Sequence, residues 1–211
     1  MKEKVIVLID GENFRKSIKT LLESEKRSYF KYDYSKIKLR NLIEGVLSSH
    51  KNLNISEIRY YGARLKSYGD NDTESKQKIA EQRSLISNLT NQGIKFLFKG
   101  NVRRRELPEQ NGEIKYTFVE KGVDVGMAVD MVSIAYDKKA SKVVLCSSDS
   151  DLQSAVRETL KRGTKIVYLG FSINPNKGLQ ATTSESVLFR NQEVIDAIPH
   201  KTNKKKKRSK K

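Results

Sequence analysis

Lys4–Asp10 reads KVIVLID and runs on into Gly11-Glu12-Asn13-Phe14. The run is short, rich in β-branched residues and apolar without alternation. That is the pattern of a strand covered on both faces. Asp-Gly breaks it. Asn13 is then placed to cap a helix whose inward face is Phe14, Ile18, Leu21 and Leu22. A buried strand passing into a helix through a short turn is the unit from which parallel sheets are built.

The same rhythm continues along the chain. Leu39, Leu42, Ile43, Val46 and Leu47 mark a second helix, with Asp33 or Ser35 as its cap. Ile55–Ala63 reads as a strand, Thr73–Asn91 as a polar helix closed by Gly93, and Ile94–Lys99 as a third strand. Gly100–Glu120 breaks the rhythm: Pro108 and Asn111-Gly112 predict a hairpin whose return strand is Ile114–Val119. An apolar helix over Val123–Tyr136, a strand at Lys142–Cys146, a helix over Asp151–Arg162, a strand at Lys165–Leu169 and a closing helix near Asn191–Ile198 complete the pattern. The fold class is therefore α/β: a mainly parallel sheet of about five strands, helices on both faces, and a β-hairpin extension.

The 211 residues carry 42 Lys+Arg against 25 Asp+Glu, a formal charge of +17. Eight of the cations lie in Lys201–Lys211, and subtracting them leaves +9 on residues 1–200. The expected organisation is one domain over residues 1–199 and a disordered basic tail over 200–211. Such a charge favours a polyanion, nucleic acid first and an acidic membrane surface second. No run is long and apolar enough to span a bilayer, and Val5–Ile9 is too short for a signal peptide. The single cysteine, Cys146, excludes an internal disulfide framework and a cysteine-based zinc site. These features fit a reducing compartment, the cytoplasm.

Carboxylates gather at predicted strand ends and helix starts. Asp10 closes the first strand, Asp124 opens a helix, and Asp149 and Asp151 follow the Lys142–Cys146 strand. Each alone reads equally as a turn or cap residue. Two of these segments lie at the carboxyl ends of strands that could be adjacent in a doubly wound sheet, and three or four carboxylates converging there would repel unless they shared hard divalent cations. His50 and His200 are isolated, and no His or Cys cluster selects zinc; carboxylates, asparagine and water suit Mg²⁺ or Mn²⁺. A basic protein with an acidic metal pocket matches phosphodiester cleavage.

Three segments in this order, VIVLIDGENF (Val5–Phe14), KGVDVGMAVDM (Lys121–Met131) and VVLCSSDSDL (Val143–Leu152), resemble the NYN domain family, and especially its LabA-like branch within the PIN-like nuclease superfamily. With IRYYGAR (Ile58–Arg64) and KIVYLG (Lys165–Gly170) the resemblance spans about residues 3–172. It implies a Rossmann-like sheet with an acidic cleft and Mg²⁺- or Mn²⁺-dependent ribonuclease activity on single-stranded or structured RNA. Carried over by position, Asp10, Asp124, Asp149 and Asp151 are the metal-binding and catalytic carboxylates. Asn13 orients a ligand or water near Asp10, and Ser147 touches a phosphate or metal-bound water. Asp130 also fits the family's pattern, but it lies six residues after Asp124, about 240° around an ideal helix, which implies a structural role. The chain departs from the family pattern at Ser148, where Gly is usual, and at Leu152, where an aromatic residue is usual.

For holding RNA, Arg103, Arg104 and Arg105 beside the hairpin, together with Lys121, are favoured over Tyr60 and Tyr61, of which at least one must face a core. Two further classes compete with an endonucleolytic ribonuclease: a noncatalytic RNA-binding or regulatory adaptor on the same fold, and a phosphohydrolase of small phosphate esters. The third ranks last, because Asp10-Gly11-Glu12 lacks a second Asp two residues on. A homo-oligomer is compatible with all three.

Overall fold

The structure is a computed structural model that describes residues 3–48, 53–66, 73–108 and 114–201. The Asn111-Gly112 turn, His50 and residues 202–211 of the expected tail lie outside the described residues. Strands β1 (Glu3–Asp10), β2 (Leu53–Arg64), β3 (Lys95–Pro108), β4 (Ile114–Lys121), β5 (Lys142–Cys146), β6 (Lys165–Phe171) and β7 (Glu185–Phe189) form one sheet in the order β4-β3-β2-β1-β5-β6-β7. Every pairing is parallel except β3 with β4. The α/β class, the mainly parallel sheet and the hairpin extension are as expected. The strand count is seven rather than about five.

β1 sits at the centre because it is apolar on both faces. Val5, Val7 and Ile9 enter one core, Ile6 and Leu8 the other, and all five are at most 2% exposed. Helices α1 (Gly11–Ser24) and α2 (Leu39–Leu47) bury Phe14, Ile18, Leu21, Leu39 and Ile43 in the first core. The end of α3 (Thr73–Asn91), through Leu89, and α7 (Asn191–Ala197), through Val194, join them there. Across the sheet, α4 (Val123–Tyr136) contributes Met127 and Met131, α5 (Gln153–Lys161) Val156, and the short α6 (Lys177–Thr182) Leu179. Tyr60 and Tyr61 are both core residues, one in each layer.

Two expected caps are corrected. Asp10, not Asn13, caps α1: its carboxylate accepts the Asn13 N–H at 3.1 Å. Asp33 and Ser35 do not cap α2. The Ser35 hydroxyl turns back to Asp33 at 2.6 Å in a short 3-10 turn, and α2 begins only at Leu39.

Gly11 lets α1 start hard against β2. A Cβ there would fall 2.3 Å from Tyr60 Cε1 and 2.6 Å from the Tyr61 carbonyl oxygen. Backbone cannot yield as a side chain can, so Gly11→Ala is expected to destabilise the fold by about 2 kcal/mol in urea unfolding. Wild-type stability in that variant would mean the contact is not tight.

Candidate functional site

The chain leaves β1 toward β2 on one side and reaches β5 on the other, so the carboxyl ends of β1 and β5 frame the point where strand order reverses. Asp10 closes β1 there, and Ser147 immediately follows β5; both are 5% exposed. One Asp10 oxygen accepts the Asn13 N–H; the other accepts the Asn13 carboxamide at 2.5 Å and the Ser147 hydroxyl at 3.2 Å. The Ser147 Oγ in turn accepts the Asp149 N–H at 3.1 Å, and the Asp149 carboxylate accepts the Asp151 N–H at 2.9 Å. Asp10, Asn13, Ser147 and Asp149 are thus brought together by local hydrogen bonds across the switch point. Burial pushes the Asp10 carboxyl above the ordinary aspartate range. Its bonds from Asn13 and Ser147 pull it back in part, and the charge of Asp149 adds to the rise.

The other residues expected from sequence lie further out. Asp124 is half-buried in the first turn of α4, which opens at the same edge because Lys121, ending β4, pairs with Asn101 beyond the level of Asp10. Asp151 is exposed beside Asp149. Lys121 and Arg103 are exposed on the hairpin, where Arg103, Arg104 and Arg105 pair by backbone with Val119, Phe118 and Thr117. Asp130 is a structural anchor: it accepts from Lys99 at 2.9 Å and from the Tyr61 hydroxyl at 3.0 Å, with Arg59 at 3.8 Å. By contrast, among the described residues no cation pairs with Asp10, Asp124, Asp149 or Asp151.

Carboxylate, hydroxyl and carboxamide oxygens are hard donors, suited to Mg²⁺ or Mn²⁺ rather than zinc. Among the described residues no three His, Cys, Asp or Glu side chains gather closely enough to cage a cation. Magnesium makes a smaller demand: one or two carboxylates, with water and phosphate in the remaining positions. Asp10 and Asp149, without a cationic partner among the described residues and near enough for the charge of one to act on the other, are the acids that could meet it.

Two acids that sequence reading passed over belong to the neighbourhood. Glu12, in the first turn of α1, is paired with Arg15 at 2.9 Å and Lys16 at 3.6 Å. Glu120, near the end of β4, has its carboxyl pushed up to about 7 by burial first, then by the charges of Glu12 and Asp10. Its only sequence signal was a charged residue in a strand beside a helix-start motif. What placed it at the site is the hairpin, a long-range pairing.

The family description NYN domain matches residues 4–195. Among solved structures, a protein of unknown function from Vibrio parahaemolyticus aligns with a TM-score of 0.50 at 20% identity, over 89% of this chain and 93% of that one. At that identity the likeness is one of fold. No curated protein matches the chain.

Because Glu120 holds its proton more tightly folded than unfolded, its ionisation works against the fold as pH rises from 4.5 through about 7, and not below that window. In EDTA, Glu120→Gln is therefore expected to gain on the order of 1 kcal/mol at pH 8.5, after solvent screening, and nothing at pH 4. Equal effects at both pH values would show that the carboxyl is not perturbed.

Proposed function

The chain belongs to the NYN domain family, a family of PIN-like nuclease domains, and on that premise we propose that it is a divalent-metal-dependent ribonuclease, cutting single-stranded RNA endonucleolytically and placed in the LabA-like branch. The observation that carries the proposal is the pair Asp10 and Asp149: the Ser147 hydroxyl donates to the Asp10 carboxylate and accepts the Asp149 backbone N–H at the sheet's switch point, and no cation of the described chain neutralises either acid. A basic protein that leaves acids unpaired where its substrate's phosphate arrives needs a counter-ion of another kind.

Mg²⁺ or Mn²⁺ would be held by Asp10 and Asp149, with Asp124 and Asp151 as the outer acids. When bound, the ion supplies an activated water near neutral pH and charge compensation at the leaving oxygen. The chain's own residues do the rest. Asn13 and Ser147 fix the Asp10 carboxylate by three hydrogen bonds, so its direction is set before any ligand arrives. Asp149 is set by its bond from the Asp151 N–H. Arg103, Arg104, Arg105 and Lys121 attract the strand electrostatically from the hairpin. The substrate is proposed as RNA by class, in the cytoplasm.

One observation favours the runner-up, an RNA-binding adaptor without cleavage. The Ser148 hydroxyl donates to the Asn13 carboxamide oxygen at 3.0 Å, placing a side chain beside the acids where the family usually has none.

Incubating wild type and Asp149→Asn with labelled single-stranded and duplex RNA and DNA, in Mn²⁺ or EDTA, separates the readings. Cleavage of single-stranded RNA by wild type in Mn²⁺ alone is expected. Asp149→Asn should lose at least 100-fold in rate and keep its RNA affinity. Binding without cleavage by wild type under every condition would establish the adaptor, and equal cleavage by both proteins would remove Asp149 from the chemistry.

A further inference from the structure

Beside Asp10 the molecule opens a cleft of about 700 Å³ to which the nuclease reading gives no role. Gly11 and Glu12 form its inner wall, so it starts one residue from the candidate metal site. The end of β2, the face of α3 that carries Lys78, Gln82 and Leu85, the loop around Tyr29–Ser35 and the return strand β4 close the other sides.

Its lining is aromatic and polar without a net sign. Tyr29 and Phe118 are half-buried on opposite sides in the chain, one after α1 and one on β4. Tyr60, stacked on Phe96 with ring centroids 5.3 Å apart, lies beneath. The Lys78 ammonium stands 3.8 Å from the centre of the Phe118 ring. Four cations, Arg15, Lys16, Lys78 and Lys201, are matched by an equal number of carboxylates, Glu12 and Glu120 among them. Several are already paired within the protein, Arg15 and Lys16 with Glu12 and Lys78 with Glu74. A phosphate trough would carry an excess of positive charge. A balanced, ring-walled cleft suits a flat, neutral group with a polar edge. Gln82, whose Nε2 is spent on the Ala63 carbonyl, retains its amide oxygen as an acceptor for such an edge.

We infer that this cleft is a base-binding subsite for single-stranded RNA, with Tyr29 as the stacking surface, the Phe118 ring under the Lys78 ammonium as the facing wall, and Gln82 and Glu120 as partners for the base edge. Its volume lies in the range of sites that enclose small ligands and accommodates one or two nucleotides. A base stacked and paired inside a duplex offers neither face nor edge and is excluded. The subsite rests on the ribonuclease reading only for the direction of the strand, which runs from the cleft to a phosphate at Asp10. Base binding itself requires no metal and no catalysis.

The test is equilibrium binding of the full chain to a fluorescein-labelled ten-nucleotide oligouridine, in EDTA, by anisotropy. A strand of the same length without bases serves as the comparison. Phe118→Leu keeps apolar bulk but removes the ring, and Tyr29→Ala removes the other. Each is expected to weaken oligouridine binding about tenfold, with no change for the abasic strand, while Phe118→Tyr binds as wild type. Unchanged oligouridine affinity in both ring variants overturns the subsite, as does an equal loss for both strands. The two readings fail separately. If wild type cleaves nothing but Phe118→Leu still loses tenfold, the ribonuclease falls and the subsite stands. If cleavage is metal-dependent but the ring variants bind normally, only the subsite falls.

Discussion

A buried carboxylate has to be satisfied by something, and Asp10 is satisfied by groups from both halves of the sheet. Its hydrogen bond from the Asn13 N–H starts α1, which leads to the β2–β3–β4 side. Its bond from Ser147 reaches the loop after β5, on the β5–β6–β7 side. Local satisfaction keeps the group in place; the absence of a cationic partner among the described residues keeps it chemically available. The contrast with Asp130 makes the point. That aspartate is bonded by Lys99 and Tyr61 and lies near Arg59, so its charge is spent on holding α4 to the sheet.

The surroundings repeat this division between holding and presenting. The Tyr60 hydroxyl donates to the Gly11 carbonyl at 3.1 Å and receives the Tyr34 hydroxyl at 2.8 Å, so the turn after Asp10 is pinned from beneath by two buried phenols. Arg59 and Arg64, which interleave with these tyrosines in sequence, are committed elsewhere: Arg59 to Glu57 at 2.8 Å, and Arg64 over the Phe98 ring at 4.7 Å. Rigid parts come from the sheet's interior, whereas the groups left for a ligand come from loops and from the edge hairpin.

How much of this was legible depends on whether the deciding interaction is local. Val5–Ile9 and Val143–Cys146 announce buried strands by composition alone, and the acids at their ends follow from position. The helices Thr73–Asn91 and Val123–Tyr136 were read to the residue because their boundaries are marked in their own sequence. Strand β7 was missed because an edge strand of five residues, ESVLF, in which only Val187 and Phe189 are buried, has neither the apolar run nor the length of alternation that identifies a strand. The start of α2 was misplaced because its free N–H groups are met from afar: Gln92 accepts from the Arg40 N–H at 3.0 Å, and the Ala197 carbonyl from the Lys38 N–H at 2.9 Å. Asp10 was counted as the end of a strand and so passed over as a cap. Glu120 and Phe118 acquired their setting only when β4 paired with β3 at the edge of the sheet.

The double bond of Asp10 also bears on how this chain can drift over generations. A residue that both begins a helix and presents a charge cannot be discarded to abolish the second duty without damaging the first. Asparagine, serine and threonine still cap, whereas alanine or a branched apolar residue loses roughly 1 kcal/mol at the helix start alone. A descendant lineage relieved of any need for the charge would therefore be channelled toward a few polar replacements at this position. Its history would be written there as an amide or a hydroxyl; Asp149, whose carboxylate accepts the Asp151 N–H, would be held to the same few replacements, while Asp124, which caps nothing, would be free to scatter.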